Sequence, residues 1–306
     1  MRPIIFTLCL GLAAACGGDD DGAGPDAPGA DAAPTTLYQR LGEEAGIRTA
    51  ITGFVGRVVA DPKINGYFLN GAVDGGRLID CLVKQVGNAT GGPQVYPDPP
   101  ATENGCRDMT AAHAGLGIST QDMNDLVGHL VAELTADGVA AGDIETIGTV
   151  LGGLAGDIIE DDANDATVYQ RVGRKPAITL VVDNFVARVA ADARINGFFA
   201  TTDIPRLKTC LVRQVCSIDG PCEYGDEVTG AEPGVSAEAP CRDMASSHEG
   251  LMSGGDGIAI EDFNALVEDL VTEVDAAGVA PADRDALLGA LGPLCPMIVV
   301  GGTGCP

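Results

Sequence analysis

The chain states nearly the same sequence twice. Leu37-Tyr38-Gln39-Arg40 through Ile159 returns as Val168-Tyr169-Gln170-Arg171 through Val299. A chain of 306 residues has room for two domains on the usual prior of roughly 150 residues each, and the repeat supplies the boundary. Two of only three histidines fall at matched places: His113 in Met109-Thr110-Ala111-Ala112-His113, and His248 in Met244-Ala245-Ser246-Ser247-His248. The pattern points to a site built around one histidine per copy.

Apolar residues recur at helical spacing in both copies. Ile47, Ile51, Phe54, Val55 and Val58 form one stripe, repeated by Ile178, Val182, Phe185, Val186 and Val189. Asn65-Gly66-Tyr67-Phe68 and Asn196-Gly197-Phe198-Phe199 then mark turns carrying an aromatic pair. A second helix places Leu78, Leu82, Gln85 and Val86, or Leu207, Leu211, Gln214 and Val215, on one face. Residues 91–105 and 217–240, rich in Pro, Gly and Glu, read as loops. After a short helix bearing the histidine, Met123 through Leu134 and Phe263 through Val274 supply a further stripe, and Ile147 to Ile158 or Leu287 to Leu294 a last helix. No apolar–polar alternation runs long enough to argue for a sheet, so the expected fold class is all-α.

With 18 Lys and Arg against 44 Asp and Glu, and a formal charge of -26, the surface repels phosphate backbones and anionic headgroups, which excludes nucleic acid as a partner. Residues 1–15, with Arg2, the apolar Ile4 to Leu12 and then Ala13-Ala14-Ala15, read as a secretory signal too short to span as a mature helix. Cys16 follows directly and resembles the lipidated cysteine of bacterial lipoproteins; ordinary cleavage after Ala15 is the other reading and gives a secreted soluble protein. Residues 16–35, mostly Gly, Asp, Ala and Pro, cannot offset ordering entropy and read as a disordered tether. The expectation is a cell-envelope protein, on the periplasmic side or the cell surface, touching the membrane only through its anchor.

Ten cysteines become eight once Cys9 leaves with the signal and Cys16 is acylated, an even number in an oxidising compartment. Cys81 matches Cys210 and Cys106 matches Cys241, so the economical pairing is Cys81–Cys106 and Cys210–Cys241, with Cys216–Cys222 closing a loop found only in the second copy and Cys295–Cys305 tying the tail. No Cys-x-x-Cys pair exists to suggest a zinc cage.

Several helices around one inward histidine suit a haem pocket, because neutral imidazole binds iron and an apolar cleft accepts a flat porphyrin. The residues that go beyond spacing are Leu37 through Gly42, Phe54 through Pro62, Gly66-Tyr67-Phe68, Thr90-Gly91-Gly92-Pro93, Met109 through His113 to Ile118, and Gly128-His129-Leu130. In these the chain resembles two tandem truncated globins of the first group, across about 36–160 and 167–301, joined by a linker at 161–166, with a Cys-rich tail extending the second domain (167–306). The resemblance implies a two-over-two helical sandwich per copy and two haem b groups per chain, with His113 and His248 as iron ligands. It implies Phe68 and Phe199 on the haem face, with Phe54 and Phe185 in the core. His129, faced by Asp269 in the other copy, is structural or exposed. Met109 and Met244 are packing residues, and Tyr96 and Tyr224 approach a haem propionate.

On the distal side the chain departs from better-known members, which carry a tyrosine and often a glutamine there. Val55 and Val186, Leu82 and Leu211, and Leu78 and Leu207 stand instead, leaving a donor-poor pocket. A hydrogen bond to bound dioxygen contributes roughly 1–3 kcal/mol, so its loss weakens oxygen retention and favours ferric haem. Gln85 and Gln214 are the remaining donors, if they reach. The expected function is binding of small diatomic ligands (O2, NO, CO) or electron transfer to a redox partner; a peroxidase-like or nitric-oxide-consuming activity is the enzymatic alternative. A haem-less helical interaction module and a haem storage or acquisition lipoprotein are the other readings.

Overall fold

Each half of the chain opens with the same device, a capped turn of helix, a glycine in the left-handed region, and a long helix. In the computed structural model, which describes residues 35–69, 73–98, 105–225, 232, 235–236 and 239–305, Thr36 caps α1 (Leu37–Arg40) and Gln39 returns a bond to the cap. Gly42 follows at φ 79° and leads into the 18-residue α2 (Glu43–Ala60). The device positions α2 by letting the chain reverse where a Cβ is disfavoured. The signal, Cys16 and the tether lie outside the described residues.

Along α2, Ile47, Ile51, Phe54 and Val58 are buried, as the stripe requires. Then come a 3-10 turn (Asn65–Tyr67), α3 (Gly75–Ala89), the short α4 (Met109–His113), α5 (Thr120–Ala136), α6 (Ala141–Gly153) and α7 (Ala155–Ile158). Helix α2 packs on α3 and α5, and α5 packs on α6, which gives two helical pairs layered two over two. The order recurs as α8 (Val168–Arg171), α9 (Arg174–Ala191), a 3-10 turn (Asn196–Phe199), α10 (Ile204–Cys216), α11 (Met244–His248), α12 (Ile260–Ala276) and α13 (Pro281–Leu291), with α14 (Cys295–Ile298) added. We call the parts before and after residues 161–166 the first and second lobes. Matched ion pairs brace both. Arg40 with Asp143 and Arg171 with Asp283 tie the first short helix to the helix after the long stripe, while Arg57 with Glu133 and Arg188 with Glu273 tie the long helices together.

One element departs from the all-helical expectation, an antiparallel hairpin of β1 (Met252–Ser253) and β2 (Asp256–Gly257). Two residues per strand are too few to alternate visibly, and the turn rests on Gly254 and Gly255, both at positive φ. Residues 161–166 are tied in place: Asp161 and Asn164 accept from the amides of Ala166 and Gln121, and Thr120 N–H donates to the Asp161 carbonyl. Among the described residues there are four disulfides, Cys81–Cys106, Cys210–Cys241, Cys216–Cys222 and Cys295–Cys305. Residues 35–306 form one compact unit, and no described helix is long and apolar enough to cross a membrane.

Candidate functional site

The Asp108 side chain caps α4 through the Ala111 amide, starting a five-residue helix whose last residue is His113. His113 Nδ1 lies 2.8 Å from the Met109 carbonyl. A carbonyl can only accept, so Nδ1 carries the hydrogen and Nε2 keeps its lone pair as a metal donor. The second lobe repeats this, with Asp243 capping α11 and His248 Nδ1 2.7 Å from the Met244 carbonyl. Behind His113 the chain is clamped by Glu160, whose carboxylate accepts from the amides of Gly115 (2.7 Å) and Gly117 (2.6 Å); these bonds hold its pKa below the ordinary range. Thr110 Oγ1 donates to Asp157, tying α4 to α7.

His113 lines a cleft between α3 and α4–α5, shared with Phe68, Leu78, Leu82, Ile118, Met123, Leu126 and Ile158. The cleft measures about 230 Å³ and opens to solvent, with the exposed Arg77 and Arg107 among the residues at its mouth. Cys81 is in the wall, and its bond to Cys106 joins α3 to the segment entering α4.

Of the residues expected around the first site, the structure brings Phe68, Leu78, Leu82 and His113 together. Val55 packs, with Phe68 and Leu82, against the core cluster that contains Phe54. In the second lobe Val186 is buried in the core cluster, with Phe199, Leu207 and Leu211 packed against it, while His248 ends α11 half-buried. The buried Phe54 and Phe185 are core, as expected.

The polar groups of the wall are engaged. Gln85 Nε2 lies 3.4 Å from Met109 Sδ, and the Tyr96 hydroxyl donates to the Arg107 carbonyl at 2.9 Å. Burial raises the Tyr96 phenol above its ordinary pKa. The Tyr67 hydroxyl donates to Asp122 at 3.1 Å, and burial followed by that carboxylate raises its pKa strongly. His129 lies on α5, where Nε2 contacts Asp61 at 2.7 Å away from the cleft.

Sequence reading missed Arg77, Arg107, Tyr67 and Asp122. The arginines carried a usable signal, because Arg206 and Arg242 occupy the matching places in the second copy of a chain that has few cations. Asp122 and Tyr67 carried none, for Asp122 stands three residues after Ser119 as an ordinary capping carboxylate does and Tyr67 is half of an aromatic pair.

Residues 36–160 match the family model described as bacterial-like globin. The chain is 34% identical to the group 1 truncated hemoglobin GlbN of Mycolicibacterium paratuberculosis over 143 residues, which are 46% of this chain and 90% of that protein. The chain belongs to the group 1 truncated haemoglobins. The GlbN of Nostoc sp. is 32% identical over 37% of this chain and 96% of its own. Against the truncated hemoglobin of Tetrahymena pyriformis in its Fe(III) form the TM-score is 0.36, at 24% identity, covering 41% of this chain and 98% of that one.

Truncated haemoglobins bind haem and small gaseous ligands, and the cleft of this member fits such a group on its own chemistry. It offers one imidazole with a committed tautomer, apolar walls for a porphyrin, and two arginines at the mouth for the two carboxylates on its edge.

Proposed function

We propose that this truncated haemoglobin is exported and lipid-anchored through Cys16, carries one haem b in each lobe, and binds small diatomic ligands or passes electrons. The observation that carries the haem reading is the repeated Nδ1-to-carbonyl bond of His113 and His248, which leaves Nε2 of each as the donor toward iron. Haem supplies an iron centre that takes up a gas or an electron. The chain supplies the rest. Leu78 and Leu82 keep water from the distal side, Phe68 offers a ring to the porphyrin face, and Arg77 and Arg107 offer cations at the mouth. The second lobe would use Phe199, Leu207, Leu211, Arg206 and Arg242 in the same roles. Tyr96 and Tyr67 already donate to protein acceptors and one Gln85 N–H is directed at Met109 Sδ, so a bound oxygen molecule has at most one Gln85 N–H to draw on, which favours electron transfer or transient ligand binding over oxygen storage.

The test is an absorption spectrum after hemin loading and gel filtration, for the parent and for His113→Ala, His248→Ala and the double variant. Each single change is expected to remove about half of the retained haem, as expected when one axial ligand serves each site. A double variant as coloured as the parent overturns the assignment. A parent that stays colourless leaves a haem-less helical module.

A further inference from the structure

Asp122 is the N3 residue of α5, where a carboxylate ordinarily returns one bond to the cap and faces water. It does make that bond, accepting from Ser119 N–H and Oγ–H, yet only 3% of it is exposed and it lies in the wall of the His113 cleft. Its other partners come from across the chain. Arg174 Nη1 donates to it at 2.8 Å and Gln170 Nε2 at 2.7 Å, both from the start of the second lobe, while the Tyr67 hydroxyl of the cleft wall donates at 3.1 Å. Arg174 is itself 5% exposed and uses Nη2 on Asp125 at 2.8 Å. A carboxylate buried to this degree persists only when its lone pairs are filled.

The corresponding positions show that the arrangement is one-sided. Glu43 has the same positive φ at the start of its helix as Arg174, 58° against 61°, so the backbone is not what sets Arg174 apart. Glu43 is exposed, and Gln39 bonds its own cap. On the other face, Phe198 replaces Tyr67 and Ala265 replaces Asp125. The first lobe's cleft therefore has a polar tether into the second lobe, and the second lobe has no counterpart to it at these positions.

We propose that Gln170 and Arg174 are positioning residues for the first lobe's haem site: they hold Asp122, Asp122 holds the Tyr67 phenol in the wall, and retention of haem at His113 thereby depends on the second lobe, with no reciprocal dependence at His248. The inference rests on the haem assignment above. The coupling is tested in full-length chains that retain one site each, His248→Ala for the first and His113→Ala for the second, by following transfer of hemin to excess apomyoglobin. Arg174→Met is expected to speed loss from the first site about tenfold, the equivalent of about 1.4 kcal/mol on the barrier, and to leave the second within about twofold. Tyr67→Phe is expected to speed loss from the first site, and its effect combined with Arg174→Met to fall short of the product of the two, since both act through Asp122. Gln170→Leu, a smaller lesion, is expected to move the first site in the same direction if Arg174→Met does not fold. In haem-free protein, amide exchange across residues 118–123 is expected to quicken in Arg174→Met. Equal acceleration at both sites, fully multiplicative effects, or unchanged loss from the first site overturns the proposal. A parent that never retains hemin overturns the haem assignment instead, and that is seen before any variant is made.

Discussion

His129 in the first lobe and Asp269 in the second occupy the same place on the same helix, and they face the same partner, Asp61 or Asp192. The first pair is a hydrogen bond at 2.7 Å; burial raises the Asp61 pKa, but the Lys63 amide and His129 outweigh it and leave the group low. In the second pair burial and then Asp192 raise the pKa of Asp269, which is 6% exposed with one carboxylate oxygen lacking any hydrogen-bond partner among the described residues. Asp122 and Asp262 differ the other way. Both return a bond to the residue that starts their helix, but Asp122 adds three neutral donors and a buried cation, whereas Asp262 accepts from the amide of Ala259, which stands where the first lobe has Ser119. The histidine unit, with its cap and its Nδ1 bond, is the same in both lobes. Polar interiors have been rebuilt separately around a shared skeleton.

The contrast breaks most sharply at Asp122. Asp122→Ala leaves the Arg174 guanidinium buried without one of its two carboxylates, and about 3–5 kcal/mol of stability is expected to go, read by denaturant unfolding. Next comes the distal disulfide. Cys81→Ser with Cys106→Ser is expected to cost about 3 kcal/mol through the freed loop, and because Cys81 is in the cleft wall it should also speed hemin loss from the first site. Equal hemin loss with and without the bond would leave it a fold staple only. Asp262→Ala is expected to cost only about 1 kcal/mol, the value of an ordinary cap; a loss as large as that of Asp122→Ala would erase the contrast between the lobes. Smallest is Asp269→Asn. A carboxyl whose folded pKa is raised favours the fold below its unfolded pKa and opposes it as pH rises through the folded value, so this variant is expected to melt a few degrees higher at pH 7 and no higher at pH 3. Asp61, whose folded pKa is lowered, has the opposite sign: Asp61→Asn should destabilise at pH 7 and lose that effect as pH falls through the carboxylate range.

Helix stripes, both histidine segments and the cysteine pairs were legible because each is local or doubled. Ile47, Ile51, Phe54 and Val58 announce a buried face without any neighbour being known, and a matched cysteine restricts its partner to another matched one. Val55 is less legible for a related reason: a helical stripe says which side is apolar, yet leaves open whether its edge meets core or cavity. Asp122 was opaque because its sequence neighbours explain it completely. Ser119 and Asp122 read as a cap, and nothing near them announces an arginine fifty-two residues on. The short hairpin at Met252 escaped because two residues per strand leave no period to detect.

The lobes dock front to back, since the leading end of the second sits on the Tyr67 and Asp122 face of the first, where Pro221 and Cys222 also close on Gly66. Unlike surfaces joined in this way leave a spare copy of each, the geometry from which open filaments grow. Here both spare ends differ from their counterparts. Over Gly197, the counterpart of Gly66, stands Ser253 of the hairpin, and the first lobe carries Glu43 where the second has Arg174. The seam between the lobes is thus built from unlike surfaces, and neither the face around Gly197 nor the end at Glu43 repeats the residues that form it.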